Sequence, residues 1–411
     1  MNKKINILIP NATAPRNIGD LAMLEVLIDL IKKTYPNPYI IIHSYEPKLH
    51  KKDLADEIDE TIYYWSVFDK RNFLTRSNRM LQVITYYFLE KYCFSFLWPV
   101  KSKLRKLASD YENADVIVFV GGGYFRSKKG ITQTLNLLMQ ITHVMYAKLY
   151  NNSKIIAPIS FGPTASKWLE FINAKVISDL DVVSVREKVS FNILKKYKIK
   201  NLVLSSDHAL LLQNTPSPKE KKQLIVGFTI KKWLDTNGQF LLEKAYIESL
   251  SKFSQETGAW IQPIIQVDAP LFGDYDFNIS KHISKKIKKN GVIVLPSKKI
   301  GDVKDALETY SNITLLLGMR AHSNILSAVA GTPFVAISYE YKTEGIAKDL
   351  DMDDYVIKCT AVNSQNLYKL LIKAYKNSTK LNKTIDESLI KIRQRETEKW
   401  NTIFQSYAPF S

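Results

Sequence analysis

The stretch GMRAHSNILSAVAGTP, residues 318–333, decides the fold class of this chain. It lies between two apolar runs, ITLLL (313–317) and FVAIS (334–338), so a strand, a helix of small residues and a second strand follow one another. This order predicts a parallel β-α-β unit, and open sheets of that kind bind ligands at the carboxyl ends of their strands. Arg320 and His322 stand at that edge. A guanidinium and a titratable imidazole there predict anion binding together with proton transfer.

The same alternation of short β-rich runs and longer amphipathic segments extends along most of the 411 residues. It predicts an α/β fold of two Rossmann-like domains facing a cleft. The polar segment 213–223, with two prolines, has the composition of an interdomain linker. We therefore predict an N-terminal domain over 1–213, a C-terminal domain over 224–371, and C-terminal helices over 372–411 that pack back on the domains.

Individual elements are predicted from apolar periodicity. The predicted strands are 4–10, 39–45, 115–121, 154–161, 181–185, 202–206, 223–230, 259–266, 292–296, 313–317 and 334–338. The predicted helices include 21–35, 131–150, 187–197 and 240–256.

The charge is strongly basic, with 58 Lys and Arg against 40 Asp and Glu and a net charge of +18. Such an excess is compatible with nucleic acid, an anionic membrane surface or anionic small substrates. The sequence has no zinc-finger, RNA-recognition or helix-turn-helix pattern, so we expect no nucleic acid partner. The two cysteines have no metal or redox spacing, and the first ten residues lack the apolar core of a signal peptide. We expect a cytoplasmic protein.

The segment 78–106 departs from the α/β rhythm, because it combines seven aromatic residues with four basic residues between Lys101 and Lys106. One reading is a helical insert in the first domain that packs its aromatic residues internally. A second reading is a helix in a membrane interface, which would place the protein at the inner face of the cell membrane through contact with anionic lipid. A dimer interface is the third reading.

Asn17-Ile-Gly-Asp20 follows the first predicted strand. Gly19 permits unusual backbone angles, and Asp20 is predicted to cap a helix that begins at Leu21. Contact with an acceptor substrate is the second role open to this loop, because the first strand–helix loop of such sheets commonly binds ligands.

The triplet Gly121-Gly122-Gly123 directly follows the strand DVIVFV. Consecutive glycines expose backbone N–H groups and allow a ligand to approach closely. A tight strand-to-loop transition explains the triplet equally, and neither the Walker motif nor the dinucleotide fingerprint is present.

Three cations follow predicted strands. Arg186 comes after DVVSV, Arg320 after ITLLL, and Lys342 after FVAIS. The two arginines together are predicted to form a clamp for phosphate or carboxylate through bidentate hydrogen bonds, with Lys342 adding positive charge. Pairing with surface carboxylates is the alternative for each of them.

His322 is the predicted catalytic histidine, because it shares the strand–helix junction with Arg320. His143 is expected in a helix within the core, and Asp207 to hold a loop. No set of His, Cys and carboxylate residues has metal-ligand spacing, so no metal is predicted.

These residues together resemble the polysaccharide pyruvyl transferase family. The resemblance spans about residues 7–350 and depends on the order and spacing of short motifs. They are Asn17-x-Gly19-Asp20, Gly121-Gly122-Gly123, Ser160-Phe161-Gly162-Pro163, Val185-Arg186-Glu187, Asp207, Arg320-Ala-His322, Gly331-x-Pro333 and Tyr339-x-x-Lys342.

The resemblance implies a GT-B-like fold and transfer of pyruvate from phosphoenolpyruvate to a sugar, giving a cyclic ketal. It assigns Arg186, Arg320 and His322 to the donor site. Its chemistry suits His322 and Arg320 as catalytic residues, and Lys342 is expected to add positive charge for donor binding. We expect the N-terminal domain to face the acceptor, through Asn17, Gly19, Asp20 and the three glycines, and the C-terminal domain to face phosphoenolpyruvate. The acceptor would be a sugar of a surface polysaccharide, such as a lipid-linked oligosaccharide, and no cofactor beyond the co-substrate is expected. The alternatives are a glycosyltransferase that uses a nucleotide sugar, and a non-catalytic membrane-associated scaffold of polysaccharide assembly.

Overall fold

The computed structural model describes residues 4–13, 15–62, 73–99, 101–127, 137, 141–213, 223–269 and 274–408. The chain forms two compact units, each built on a parallel sheet of its own. Unit 1 comprises Met1–Pro15, Met23–Asp207 and Thr397–Ser411, and unit 2 comprises Arg16–Ala22 and His208–Glu396.

The strands of unit 1 are β1 (Ile5–Ala12), β2 (Pro38–Ser44), β3 (Glu57–Glu60), β4 (Val116–Phe119), β5 (Gly122–Phe125), β6 (Ser153–Phe161), β7 (Val182–Val185) and β8 (Leu202–Leu204). They lie side by side in the order β3-β2-β1-β4-β6-β7-β8, and all pairs are parallel. β4 and β5 pair with successive stretches of β6 and are separated only by Val120 and Gly121, while Gly122 and Gly123 begin β5.

The strands of unit 2 are β9 (Ile225–Thr229), β10 (Trp260–Ile265), β11 (Asp268–Ala269), β12 (Asp274–Tyr275), β13 (Lys298–Lys299), β14 (Leu315–Gly318), β15 (Phe334–Ser338) and β16 (Val356–Lys358). The main sheet has the order β13-β10-β9-β14-β15-β16, again with parallel pairs, while β11 and β12 form a separate antiparallel pair.

In both sheets the strand order reverses beside the first strand of the unit, between β1 and β4 and between β9 and β14. This is the strand order of Rossmann-type folds, in which the reversal point is the usual place for ligands. The prediction of an α/β protein with two Rossmann-like domains is confirmed.

The helices lie in the connections between the strands and after the last strand, as parallel pairing requires. They are α1 (Ile18–Thr34), α2 (Phe73–Lys91), α3 (Lys103–Asn113), α4 (Lys167–Ile177), α5 (Lys188–Lys195), α6 (Thr236–Thr257), α7 (Phe277–Lys289), α8 (Val303–Ser311), α9 (Ala321–Val329), α10 (Tyr341–Asp349), α11 (Ser364–Lys376) and α12 (Ser378–Ser406). Residues 141–147 are also helical. Of the helix predicted over 131–150, residues 131–136 and 138–140 lie outside the described residues.

One predicted strand, 292–296, is wrong. Val294 forms only an isolated bridge with Ile261, and the edge of the sheet is occupied by β13 instead. Pro296 has no backbone N–H, which removes one ladder donor and ends the run.

Most of the predicted linker, residues 214–222, lies outside the described residues. Residues 208–213, predicted to belong to the N-terminal domain, pack in unit 2. The short 3₁₀ helix His208–Leu211 contacts α9, and Arg393 of α12 donates hydrogen bonds to the carbonyl oxygens of Leu210 and Leu212. Residues 378–396 of α12 belong to unit 2, and the remainder of the helix belongs to unit 1.

The aromatic insert is partly a core element. On α2, Val83 and Tyr86 are buried against Leu104 and Tyr111 of α3 in the core of unit 1. This supports internal packing for one face of the insert. In the part of the chain that the structure describes, no helix combines the length and the apolar character needed to cross a membrane.

Candidate functional site

The carboxyl ends of three adjacent strands in unit 2 lie next to three of the predicted site residues, Arg320, His322 and Lys342. Gly318, the last residue of β14, pairs with Thr229 of β9 on one side and with Ala336 of β15 on the other. The residues directly beyond these ends are Lys231, Arg320, His322, Tyr339 and Lys342. The strand order reverses here, so this is the edge at which a ligand is expected.

Arg320 is held rigidly at this edge by a buried carboxylate. It is 6% exposed, and both Nε and Nη2 donate to Asp276, which is itself buried. Arg320 has extended backbone angles and precedes α9, so its side chain is not committed to a helix face. The charge of Asp276 also raises the pKa of Tyr310, whose burial is the larger cause. The hydrogen bonds to Asp276 fix the plane of the guanidinium.

The imidazole of His322 lies directly against the backbone of Gly19. A Cβ atom placed on Gly19 would overlap ring atoms Cγ and Nδ1 of His322, so only glycine fits there. The histidine is the second residue of α9 and is half-buried. The structure therefore brings together two motifs, Asn17-x-Gly19-Asp20 and Arg320-x-His322, that are about 300 residues apart in sequence.

The first helix begins earlier than predicted, and a different residue caps it. α1 starts at Ile18 rather than Leu21, and Asn17 stands at the cap position, where its Oδ1 accepts a hydrogen bond from the N–H of Gly19. Asp20 lies inside the first turn and accepts a hydrogen bond from Nδ2 of Asn17. The prediction that Asp20 caps the helix is wrong, because Asn17 reaches the free N–H groups of the first turn.

Val267 links the two halves of this arrangement. It forms an antiparallel bridge with Asn17, and its N–H donates to Oδ2 of Asp276. The next residue, Asp268, donates its N–H to the carbonyl oxygen of Arg16. One backbone segment thus fixes both the loop that contacts His322 and the carboxylate that holds Arg320.

Lys342 is placed at the same edge, on the first turn of α10. Its Nζ is 3.1 Å from Oε2 of Glu340, and its side chain is 14% exposed. The Tyr339 ring contacts the Trp233 ring at a centroid separation of 4.6 Å, and Lys231 lies over both rings. Two packed aromatic rings and a second lysine thus lie at the same edge of the sheet.

Arg186 belongs to unit 1, where it lies just beyond β7 and is 7% exposed. Its Nε donates to Oγ of Ser160 at 2.9 Å, and its Nη1 donates to Oδ2 of Asp207. Glu187 lies 3.9 Å from the same guanidinium. Asp207 holds Arg186 as Asp276 holds Arg320, so both predicted donor-site arginines are oriented by a buried aspartate.

The glycine triplet packs tightly against neighbouring backbone and side chains in unit 1. A Cβ atom on Gly121 would lie 2.6 Å from the carbonyl oxygen of Pro158, and Gly122 has a φ of 153°, which side-chain-bearing residues rarely adopt. Asn11 joins the same region, because its amide group exchanges two hydrogen bonds with the backbone of Val120. Close packing thus accounts for these glycines, and the acceptor role assigned to Gly121, Gly122 and Gly123 stays a prediction.

His43, His50 and His143 lie outside the site and are buried. His143 is buried as predicted and its Nδ1 contacts the hydroxyl of Tyr111 at 3.1 Å; burial lowers its pKa to about 3. Burial also lowers the pKa of His50 to about 4. His43 contacts Oδ2 of Asp110 at 2.8 Å.

Sequence reasoning missed Asp276, Lys231 and Trp233. Asp276 precedes a lysine-rich helix and carries no motif of its own, so nothing local identified it. Lys231 and Trp233 follow β9 in the way that Arg320 follows β14. Their position just after a strand is the feature of the sequence that could have identified them.

Comparison with known proteins gives one clear family match. The model of the family described as polysaccharide pyruvyl transferase matches residues 17–341. The amylovoran biosynthesis protein AmsJ of Erwinia amylovora is 22% identical over an alignment of 289 residues, and the alignment covers 62% of this chain and 64% of AmsJ. The chain thus spans just under two thirds of the length of this curated relative.

Solved structures give the fold. A glycosyltransferase from Rickettsia africae matches with a TM-score of 0.58 and 12% identity over 100% of both chains. A UDP-GlcNAc 2-epimerase from Neisseria meningitidis matches with a TM-score of 0.57 and 11% identity, covering 98% of this chain and 100% of that chain. At these identities the likeness concerns the GT-B-like fold alone.

Proposed function

This chain belongs to the polysaccharide pyruvyl transferase family, and we propose that it transfers pyruvate from phosphoenolpyruvate to a sugar residue. The proposed product is a cyclic pyruvate ketal on a surface polysaccharide or on its lipid-linked oligosaccharide precursor, with inorganic phosphate released. The observation that carries the proposal is the junction of unit 2, where Arg320 is oriented by Asp276 and His322 is seated on Gly19.

The reaction joins two sugar hydroxyl groups to C2 of the enol phosphate. The first hydroxyl group loses its proton and its oxygen bonds to C2, while C3 accepts a proton and becomes a methyl group. The C2–O bond to phosphate then breaks, and the second hydroxyl oxygen bonds to C2 and loses its proton. Each turnover converts one enol phosphate and one diol into one ketal and one phosphate.

His322 is proposed to deliver the proton to C3. Imidazole changes its charge near neutral pH, which suits it to general acid catalysis. The contact with Gly19 fixes the ring without a bulky neighbour on that side. A positioned acid of this kind contributes typically about 10²–10⁴-fold to the rate.

Arg320 is proposed to bind the carboxylate or phosphate of the donor. Asp276 occupies one side of the guanidinium and fixes its plane, so the donor meets a preorganised group that needs no reorientation during the reaction. Lys342 at the same edge of unit 2 is proposed to offset charge on the leaving phosphate.

Arg186 stays a proposed donor ligand, and Asn17, Gly19 and Asp20 stay proposed acceptor contacts. For Gly19 the contact with His322 adds a second role, since any acceptor bound to this loop would lie next to the proposed acid.

We propose that no metal or other cofactor takes part, because cationic side chains can neutralise the donor. A strict requirement for a divalent ion in the purified protein would contradict this.

The reaction class is tested by incubating the protein with phosphoenolpyruvate and a panel of galactosides and N-acetylhexosamines. The proposal expects phosphate release together with a sugar whose mass has increased by one pyruvate less one water. Turnover of a nucleotide sugar with phosphoenolpyruvate left intact would overturn it.

A further inference from the structure

The outer face of α2 and the turn that follows it expose an unusual concentration of apolar side chains. Leu81, Ile84 and Phe88 follow one another at helical spacing, so they share one face of the helix, and Tyr92 comes directly after its last residue. Phe94, Phe96 and Leu97 continue this surface in the turn. The exposed fractions of these seven residues lie between 48% and 68%. We call these seven residues the apolar patch.

The fold of unit 1 does not depend on the apolar patch. The opposite face of α2 supplies the buried Val83 and Tyr86, and Tyr146 donates a hydrogen bond to the carbonyl oxygen of Val83. Trp98 packs edge-to-face on Tyr86 at 5.5 Å between ring centroids. The helix is thus anchored from inside, and its outer face is left for another role.

The turn that follows α2 has a defined backbone structure. Cys93 has a left-handed φ of 64°, and the N–H of Phe94 donates to the carbonyl oxygen of Leu89 at 2.7 Å, which ends α2 in a tight reversal. A 3₁₀ turn over Ser95–Leu97 follows directly. These backbone bonds fix the segment whose rings at Phe94 and Phe96 project into solvent, 6.3 Å apart.

The charges around the apolar patch are almost all positive. Residues 73–106 contain seven Lys and Arg against one acidic residue, Glu90. Glu90 is half-buried, and its charge adds to the effect of burial in raising the pKa of Tyr86. Lys103 and Lys106 pair with Asp59, whereas Lys91 and Lys101 are exposed beside the apolar patch.

We propose that the apolar patch docks on the surface of an anionic phospholipid bilayer. Aromatic side chains flanked by lysines are the composition that favours the interface between headgroups and acyl chains, and nearby cations add attraction to anionic lipid. A second copy of the chain fits less well, because a symmetric contact would bring two strongly basic segments together. The inference goes beyond the proposed function and does not depend on it.

The test is co-sedimentation with vesicles of phosphatidylcholine alone and of phosphatidylcholine mixed with phosphatidylglycerol. The wild-type protein is expected to bind the mixed vesicles, and the triple variant Phe94→Ser, Phe96→Ser, Leu97→Ser to bind at least about tenfold more weakly. The matched control is Phe240→Ser, Leu241→Ser, which removes two side chains of similar exposure (65% and 51%) from α6 and should bind like the wild type. Lys91→Glu with Lys101→Glu should also weaken binding.

A second measurement needs no change to the apolar patch. Cys93 is exposed and Cys359 is buried, so a polarity-sensitive dye can be attached to Cys93 alone. Its emission is expected to shift to the blue on addition of mixed vesicles. The proposal is overturned if the triple variant sediments like the wild type or if phosphatidylcholine alone binds equally well. It is also overturned if the wild type is a dimer that the triple variant converts to monomer without any vesicle binding.

Discussion

Asp276 accepts hydrogen bonds from both Nε and Nη2 of Arg320, although the two residues are 44 positions apart in the chain. Both are buried, so the pair has a defined geometry that a surface ion pair would lack. The same device recurs in unit 1, where Asp207 holds Arg186. The arginines that the family motifs identify are therefore only one part of each arrangement; the aspartates that orient them are the other.

Asp276→Asn is expected to lower kcat/KM for phosphoenolpyruvate by about 100-fold, because an arginine released from its partner no longer holds the donor in place. Leaving the buried guanidinium uncompensated should also destabilise the protein by about 3–5 kcal/mol. Steady-state kinetics and chemical denaturation measure the two effects.

The control for that variant is Glu387→Gln, which breaks the exposed pair of Lys383 and Glu387 at 3.9 Å. Its effect on stability should stay below about 0.5 kcal/mol, with kinetics unchanged. An Asp276→Asn protein with wild-type KM and kcat would show that Asp276 does not position Arg320 for the reaction.

Gly19→Ala is expected to abolish most turnover, because the added methyl group overlaps the imidazole of His322 and must displace the ring or the loop. Gly301→Ala is the matched control. Its Cβ would have only Asp305 Oδ2 nearby, at 3.7 Å, so activity should be retained. Phosphate release measures both. Equal activity of the two variants would refute a role for the contact between residues 19 and 322.

Arg186→Lys is expected to weaken donor binding while largely preserving the fold, because lysine keeps a charge for Asp207 but lacks the planar fork of arginine. Arg186→Ala should weaken donor binding further and also lower stability by about 3–5 kcal/mol, since Asp207 would be left buried and unpaired. Calorimetric titration with phosphoenolpyruvate distinguishes the roles: unchanged donor affinity in Arg186→Lys would leave Arg186 as a structural residue only.

Acidification is expected to destabilise unit 1 through His143 and His50. Burial lowers their pKa values to about 3 and about 4, from 6.5 in the unfolded chain. At a pH between the folded and the unfolded pKa, the unfolded state binds more protons than the folded state. The free energy of unfolding is therefore highest above about pH 6.5 and falls as the pH decreases. The loss is about 1.4 kcal/mol per histidine by about pH 5.5.

Denaturant unfolding between neutral and mildly acid pH measures this slope. His143→Asn removes one titrating group and keeps a polar side chain near the Tyr111 hydroxyl. The variant should therefore lose about 1.4 kcal/mol less stability than the wild type between neutral pH and about pH 5.5. The same slope in wild type and variant would mean that His143 does not contribute to the pH dependence.

The sequence predicted the local parts of this account well. The apolar runs located most strands of both sheets, and the junctions after them placed Arg186, Arg320, His322 and Lys342 at strand ends, because parallel strands align their carboxyl ends at one edge. The family resemblance that the motifs indicate is confirmed by the family match over residues 17–341.

The features that could not be predicted from the sequence depend on contacts between residues far apart in the chain. The partnership of Asp276 with Arg320 requires the backbone of Val267 to place the carboxylate, and no local pattern signals such a pairing. The choice of Asn17 over Asp20 as helix cap is a competition within one turn that composition does not resolve. The two faces of α2 became distinguishable only once Val83 and Tyr86 were seen in the core.

The most direct test of the central claim compares wild type with His322→Ala, using phosphoenolpyruvate and an accepting sugar, with phosphate and ketal measured together. The account predicts that the wild type forms one ketal per phosphate released. The variant should keep its fold and its donor affinity but lose about 10²–10⁴-fold in turnover. Ketal formation by the variant at the wild-type rate would contradict the assignment of His322 as the acid on which the proposed mechanism depends.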